Sequence, residues 1–184
     1  MKPLHFPNYI TFARLFLIPF FFTAMVSYQP GKEYQRWLAF GIFLTASLTD
    51  ALDGFLARLT KSRSRLGRFL DPLADKLLLL SGYLGLLFVP SLPYRPPLWV
   101  TVTIVFRDVV IIGGLVMIFL LTGRVKVEPN FLGKATTAFQ MVTLIAILLV
   151  WKISVALWYA TAGLTIVSCL VYCVRELRLI QNGG

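Results

Sequence analysis

The sequence predicts an all-α, polytopic membrane protein with six transmembrane helices and both termini in the cytoplasm. Composition is the first of three observations behind this. Of 184 residues, 58% are hydrophobic and 14% charged, with a mean hydropathy of +0.78. An ordinary soluble domain holds about 45–50% apolar and about 25% charged residues, so a core of this size has no room for the excess. With 15 Phe, 7 Tyr and 4 Trp, the chain is also far too aromatic for a disordered one. Periodic apolar runs and the asymmetry of loop charge are the second and third observations. The length suits a single domain covering 1–184.

A span needs about 20 mostly apolar residues to cross a hydrocarbon core of about 30 Å. Six runs meet or approach this, at roughly 9–28, 37–57, 70–89, 98–121, 131–150 and 155–174. The first keeps Arg14 inside it and has no small-residue cleavage site, so it reads as a span and not a signal peptide. Gln29-Pro30-Gly31-Lys32 ends that span, and the proline-rich segment from Pro90 to Pro97 separates the third from the fourth. Trp37, Trp99, Trp151 and Trp158 fall near predicted span ends, where an indole prefers the headgroup layer. Cys169 and Cys173 are the only cysteines, which excludes a disulfide framework.

Loop charge sets the orientation. Lys2, Arg58, Lys61, Arg63, Arg65, Arg68, Arg124, Lys126, Lys134, Arg175 and Arg178 lie on one side, against Lys32, Arg36, Arg95 and Lys152 on the other. The richer side is cytoplasmic by the positive-inside rule. The overall formal charge of +10 points to anionic headgroups and phosphorylated ligands in preference to nucleic acid. Arg14, Lys76 and Arg107 fall within spans and call for counterions.

Four of the eight acidic residues are Asp50, Asp53, Asp71 and Asp75, at the cytoplasmic ends of the second and third spans. A mid-membrane carboxylate costs roughly 2.5–3.5 kcal/mol, so such a cluster implies a task. Asp50, Asp53 and Ala57 share one helical face, and Gly67, Asp71 and Asp75 share another. Facing each other across a short basic loop, they would form a four-carboxylate cluster requiring cations. Oxygen-only ligands select Mg²⁺ or Mn²⁺, and two carboxylates from each helix suit a pair of ions about 3.5–4 Å apart. Gly54, Ala57 and Gly67 leave a shallow wall beside them, and Arg58 with the loop cations offers charge for phosphates. Each feature has a plainer use: basic loops set topology, small residues pack helices, and paired intramembrane acids also line ion or proton pathways. A small ion or proton transporter would account for the charges, but not for the glycines and alanine at these spacings.

Together these positions read D-x-x-D-G-x-x-A-R-x8-G-x-x-x-D-x-x-x-D. This resembles the hallmark of the CDP-alcohol phosphatidyltransferase family at every fixed position, and the likeness extends to length and span number. The resemblance implies a metal-dependent, typically homodimeric enzyme acting on CDP-diacylglycerol at the cytoplasmic face of a bacterial inner membrane. It assigns Asp50, Asp53, Asp71 and Asp75 to the divalent ions, with Asp75 also the general base. Gly54, Ala57, Arg58 and Gly67 fall to the nucleotide of the CDP-lipid. Asn8, Thr11 and Arg14 resemble an N-x-x-T-x-x-R element common among bacterial phosphatidylglycerophosphate synthases, which adds Asn8 and Thr11 to the CDP-lipid site.

The hallmark does not encode the acceptor. Arg107 and Lys134 suggest a cationic pocket for an alcohol bearing its own phosphate, either glycerol 3-phosphate or phosphatidylglycerol. A plainer reading neutralises Arg107 with Asp108 or a hallmark carboxylate. Glycerol 3-phosphate is the favoured acceptor. The stretch Arg107-Asp108-Val109-Val110-Ile111-Ile112, with Val127-Glu128-Pro129 and Lys134, is also similar to the CMP-forming cardiolipin synthases, which use phosphatidylglycerol.

Overall fold

The computed structural model describes residues 6–60, 67–122 and 131–182, with side chains at 11–49, 70–71, 73–114, 116–117, 120 and 132–171. These residues form six helices and no strand: α1 (Phe6–Val26), α2 (Glu33–Thr60), α3 (Gly67–Phe88), α4 (Leu98–Thr122), α5 (Phe131–Leu148) and α6 (Ser154–Asn182). Each coincides with an expected span. At 1.5 Å per residue the 28 residues of α2 extend about 42 Å, so the helix outruns its apolar stretch at both ends.

Local chemistry explains the helix ends. Gly31 takes φ +89° in the turn after α1, a left-handed conformation that suits glycine. Pro97 accepts from the Val100 and Thr101 amides and so starts α4. At the end of α5, Trp151 N–H reaches the Ala146 carbonyl and Val150 N–H the Ile147 carbonyl, the two bonds of a Schellman turn. Val150 sits at the left-handed position with φ +57°, which strains a β-branched residue. Arg36 of α2 donates to the Leu148 carbonyl at 2.7 Å and ties this turn down. Arg36 also pairs with Glu33 at 2.8 Å, and Tyr28 donates to the same carboxylate. These bonds, that from Arg36 foremost, hold the Glu33 carboxyl below its ordinary 4.5.

The pairings fix an up-and-down arrangement. Thr11 and Arg14 of α1 meet Asp71 and Asp75 of α3, while further along Phe21 and Met25 lie against Gly82 and Gly85, so α1 and α3 run parallel. A Cβ on Gly82 would come 2.4 Å from a Leu144 methyl, so α3 approaches α5 closely there. Phe21, Phe43, Leu78, Tyr83, Ile104, Leu144 and Ile147 make the buried core. Outside it, Phe12, Phe16, Phe20, Phe106, Leu120 and Leu170 are exposed, an arrangement that suits a lipid-facing surface.

Among the described residues one segment, Ser154–Val171, is long and apolar enough to cross a bilayer by length and composition; Thr11–Val26 and Leu132–Leu148 are shorter apolar stretches. The expectation of six runs that meet or approach a span is thus met as six helices, of which one is clearly apolar enough to cross. Charged residues such as Asp71, Asp75 and Lys76 dilute α3. Trp37, Trp99 and Trp151 are exposed as expected, but Trp158 is buried, one turn into α6, with its ring tilted 41° against Tyr159 at 3.9 Å.

Candidate active site

Asp71 and Asp75 lie one turn apart near the start of α3, and α1 supplies a partner for each. Thr11 Oγ1 donates to Asp71 Oδ1 at 2.6 Å, and Arg14 Nη1 to Asp75 Oδ1 at 2.9 Å. The donors are spaced by three residues on α1 and the acceptors by four on α3. At 1.5 Å per residue the rises are about 4.5 and about 6 Å, close enough for parallel helices to match both pairs. Thr11 and Arg14 are buried, whereas the Asp75 side chain is 34% exposed and Asp71 half-buried. The carboxylates are therefore steadied from behind by interior groups while keeping access to the outside.

Asp50, Asp53, Gly54, Ala57 and Arg58 occupy the last third of α2, and Gly67 begins α3. The side chains at these α2 positions, and that of Asn8 in α1, lie outside the described residues, as do the loop cations Lys61, Arg63 and Arg65. The donor set of α2 and α3 is all oxygen, which fits a hard divalent ion. Asp71 and Asp75, one turn apart and accessible, suit the α3 half of such a site.

A second polar group lies on another side of α3. Lys76 Nζ donates to Asp108 Oδ1 at 3.0 Å and to Thr137 Oγ1 at 3.0 Å. Arg107 Nη1 reaches the same Asp108 oxygen at 2.8 Å, and Gln140 Nε2 serves Oδ2 at 3.1 Å. Arg107 Nη2 also donates to Ser168 at 3.1 Å. Asp108 is fully buried, and its neighbours come from α3, α4 and α5, with α6 joined through Arg107. The plainer reading of Arg107, neutralisation by Asp108, thus describes one of its bonds. Lys134 is exposed in the first turn of α5, where the adjacent Gly133 lies against Arg107; a Cβ there would sit 3.7 Å from Nη2. This turn brings Lys134 to the Arg107 side of the molecule.

Sequence reasoning placed Arg14 in the first-span element without naming its counterion, left Lys76 as an unassigned span charge, and gave no role to Gln140, Thr137 or Ser168. The signal was charge balance: each buried cation needed an anion, and Asp75 and Asp108 were the acids at matching depth.

The family model for CDP-alcohol phosphatidyltransferase matches residues 4–169. A protein of Shigella flexneri serotype 5b named CDP-diacylglycerol–glycerol-3-phosphate 3-phosphatidyltransferase is 34% identical over 176 residues, covering 90% of this chain and 91% of its own. An Escherichia coli K12 protein of the same name is also 34% identical, with the same coverage. A Mycobacterium tuberculosis protein named probable phosphatidylglycerophosphate synthase is 32% identical, covering 93% of this chain and 81% of its own. The chain belongs to the CDP-alcohol phosphatidyltransferase family.

Proposed function

We propose that the chain is an integral membrane enzyme that transfers the phosphatidyl group of CDP-diacylglycerol to glycerol 3-phosphate, releasing CMP and forming phosphatidylglycerophosphate. The observation that carries this is the pair Asp71 and Asp75, one turn apart, accessible, and each held by a buried donor from α1. The activity for which the relatives are named, matched over nine-tenths of the chain, favours glycerol 3-phosphate over phosphatidylglycerol. The composition, the apolar helix surface and the basic loops support six membrane crossings with the site at the cytoplasmic face, and the family resemblance supports a bacterial inner membrane and a homodimer.

In this reading Asp50, Asp53, Asp71 and Asp75 hold two Mg²⁺ or Mn²⁺ ions. When bound, the metal supplies Lewis-acid stabilisation of the diphosphate oxygens. Gly54, Ala57 and Gly67, with Asn8 and Arg58, accommodate the nucleotide of the CDP-lipid; Thr11, expected there from the sequence, is instead buried and acts through Asp71, to which its hydroxyl donates. Arg107 and Lys134 receive the acceptor's phosphate. Asp75 takes the proton of the acceptor hydroxyl as its oxygen attacks the lipid-side phosphorus. The bond from that phosphorus to the CMP oxygen breaks, and CMP leaves with the electron pair. Arg14 keeps the Asp75 carboxylate oriented toward the hydroxyl, so the chain's contribution is mainly positioning and charge.

Purified protein given CDP-diacylglycerol, Mg²⁺ and single acceptors tests this. CMP and phosphatidylglycerophosphate should form together with glycerol 3-phosphate. Cardiolipin formed from phosphatidylglycerol, with glycerol 3-phosphate inert, would replace the acceptor, and no CMP with any alcohol would defeat the assignment.

A further inference from the structure

The group around Asp108 holds two cations and one anion. Lys76 and Arg107 share a single carboxylate oxygen, so among the described residues two basic side chains converge on one acid at the junction of four helices. Burying a charge is costly unless it is paired and hydrogen-bonded. Arg107 is 4% exposed, and its Nε has no hydrogen-bond partner among the described residues. A guanidinium offers five N–H donors in a rigid plane, and Asp108 and Ser168 take one from each terminal nitrogen. Two fixed points set the orientation of that plane and leave donors for another acceptor. Gln140 completes the frame through Asp108 Oδ2, and Tyr83 donates to the Gln140 carbonyl at 3.1 Å, which anchors this part of α5 to α3.

We propose that Asp108 is a positioning residue for acceptor recognition: it orients the Arg107 guanidinium toward an incoming phosphate while offsetting only part of the local positive charge. The inference rests on the reading of Arg107 as a phosphate ligand. Asp108 touches no substrate and acts through Arg107. Lys76, held on the same oxygen, competes for the carboxylate and keeps it from quenching Arg107 fully.

Asp108→Asn isolates the charge with little change of shape. Gln140 Oε1 is buried without a partner among the described residues, so a flip of that amide offers an acceptor to the new side-chain NH₂. The variant should raise the KM for glycerol 3-phosphate at least about tenfold and leave the KM for CDP-diacylglycerol within about twofold, a charge-assisted contact being worth that much. Lys76→Met combined with Asp108→Asn restores the original net charge. If Asp108 orients Arg107, the double variant recovers thermal stability and keeps the raised acceptor KM. Recovery of both would overturn the proposal and leave Asp108 a charge balancer, and equal rises in both KM values would overturn it too. Arg107→Ala separates the underlying reading. An unchanged acceptor KM in that variant removes Arg107 as a ligand, whereas a raised one with Asp108→Asn unaffected rejects the role of Asp108 alone.

Discussion

Asp75 and Lys76 are neighbours in sequence, yet α3 turns them to different sides. Asp75 meets Arg14 of α1 with its side chain one-third exposed, while Lys76 reaches Asp108 in the fully buried interior. In the first region a buried cation backs an accessible carboxylate; in the second a buried carboxylate holds two cations. One helix thereby presents negative charge on one side and carries positive charge into the interior on another. The proposed reaction, which joins a diphosphate held by cations to a phosphate-bearing alcohol, would need that separation, because the same charges mixed together would neutralise each other.

The sharpest way to break the comparison is at the accessible carboxylate. Asp75→Asn should lower turnover by at least about a hundredfold, the lower end of the range for a general base, while CDP-diacylglycerol still binds. Equilibrium binding beside a CMP-release assay checks this, and loss of binding would make Asp75 chiefly a ligand. Arg14→Met comes next. Removing a charge-assisted bond worth about 1.5–3 kcal/mol should slow turnover roughly 10- to 100-fold with the acceptor KM little changed. A selective rise in acceptor KM would mean that the two regions are not separate.

Packing offers a smaller contrast. A methyl at Gly82 meets Leu144 at 2.4 Å and Phe21 at 3.3 Å, whereas one at Gly41 meets nothing within 4 Å. Gly82→Ala should therefore cost about 1–3 kcal/mol by overpacking, and Gly41→Ala should gain up to about 1 kcal/mol from helix propensity. Thermal unfolding in detergent reads both. The smallest effect is at Glu33, whose folded carboxyl titrates below its ordinary 4.5. Its contribution is fully present above pH 4.5 and fades as the pH falls through the lower folded value. The stability difference between wild type and Glu33→Gln should shrink on acidification; a constant difference would remove the Arg36 pairing as its source.

Helix positions were legible because apolar runs and proline breaks are local signals, and all six helices fall where those signals place them. Arg14 was visible as an anomaly, but its pairing with Asp75 depends on α1 and α3 being parallel neighbours, which spacing along one helix does not encode. The same holds for Lys76 and Asp108, separated by 32 residues. Trp158 misled because an indole one turn into a helix satisfies both an interfacial and a core position, and burial is settled by its partners. The hallmark aspartates stood out in the sequence because carboxylates in an apolar chain are costly.

The most direct test follows CMP release against Mg²⁺ concentration for wild type and Asp71→Asn, with CDP-diacylglycerol and glycerol 3-phosphate saturating. Loss of even an outer-shell partner weakens metal sites by about 10–100-fold. The variant should therefore need at least about tenfold more Mg²⁺ or fail to turn over, and chelation should silence the wild type. Identical Mg²⁺ responses, or release that persists under chelation, would contradict the account.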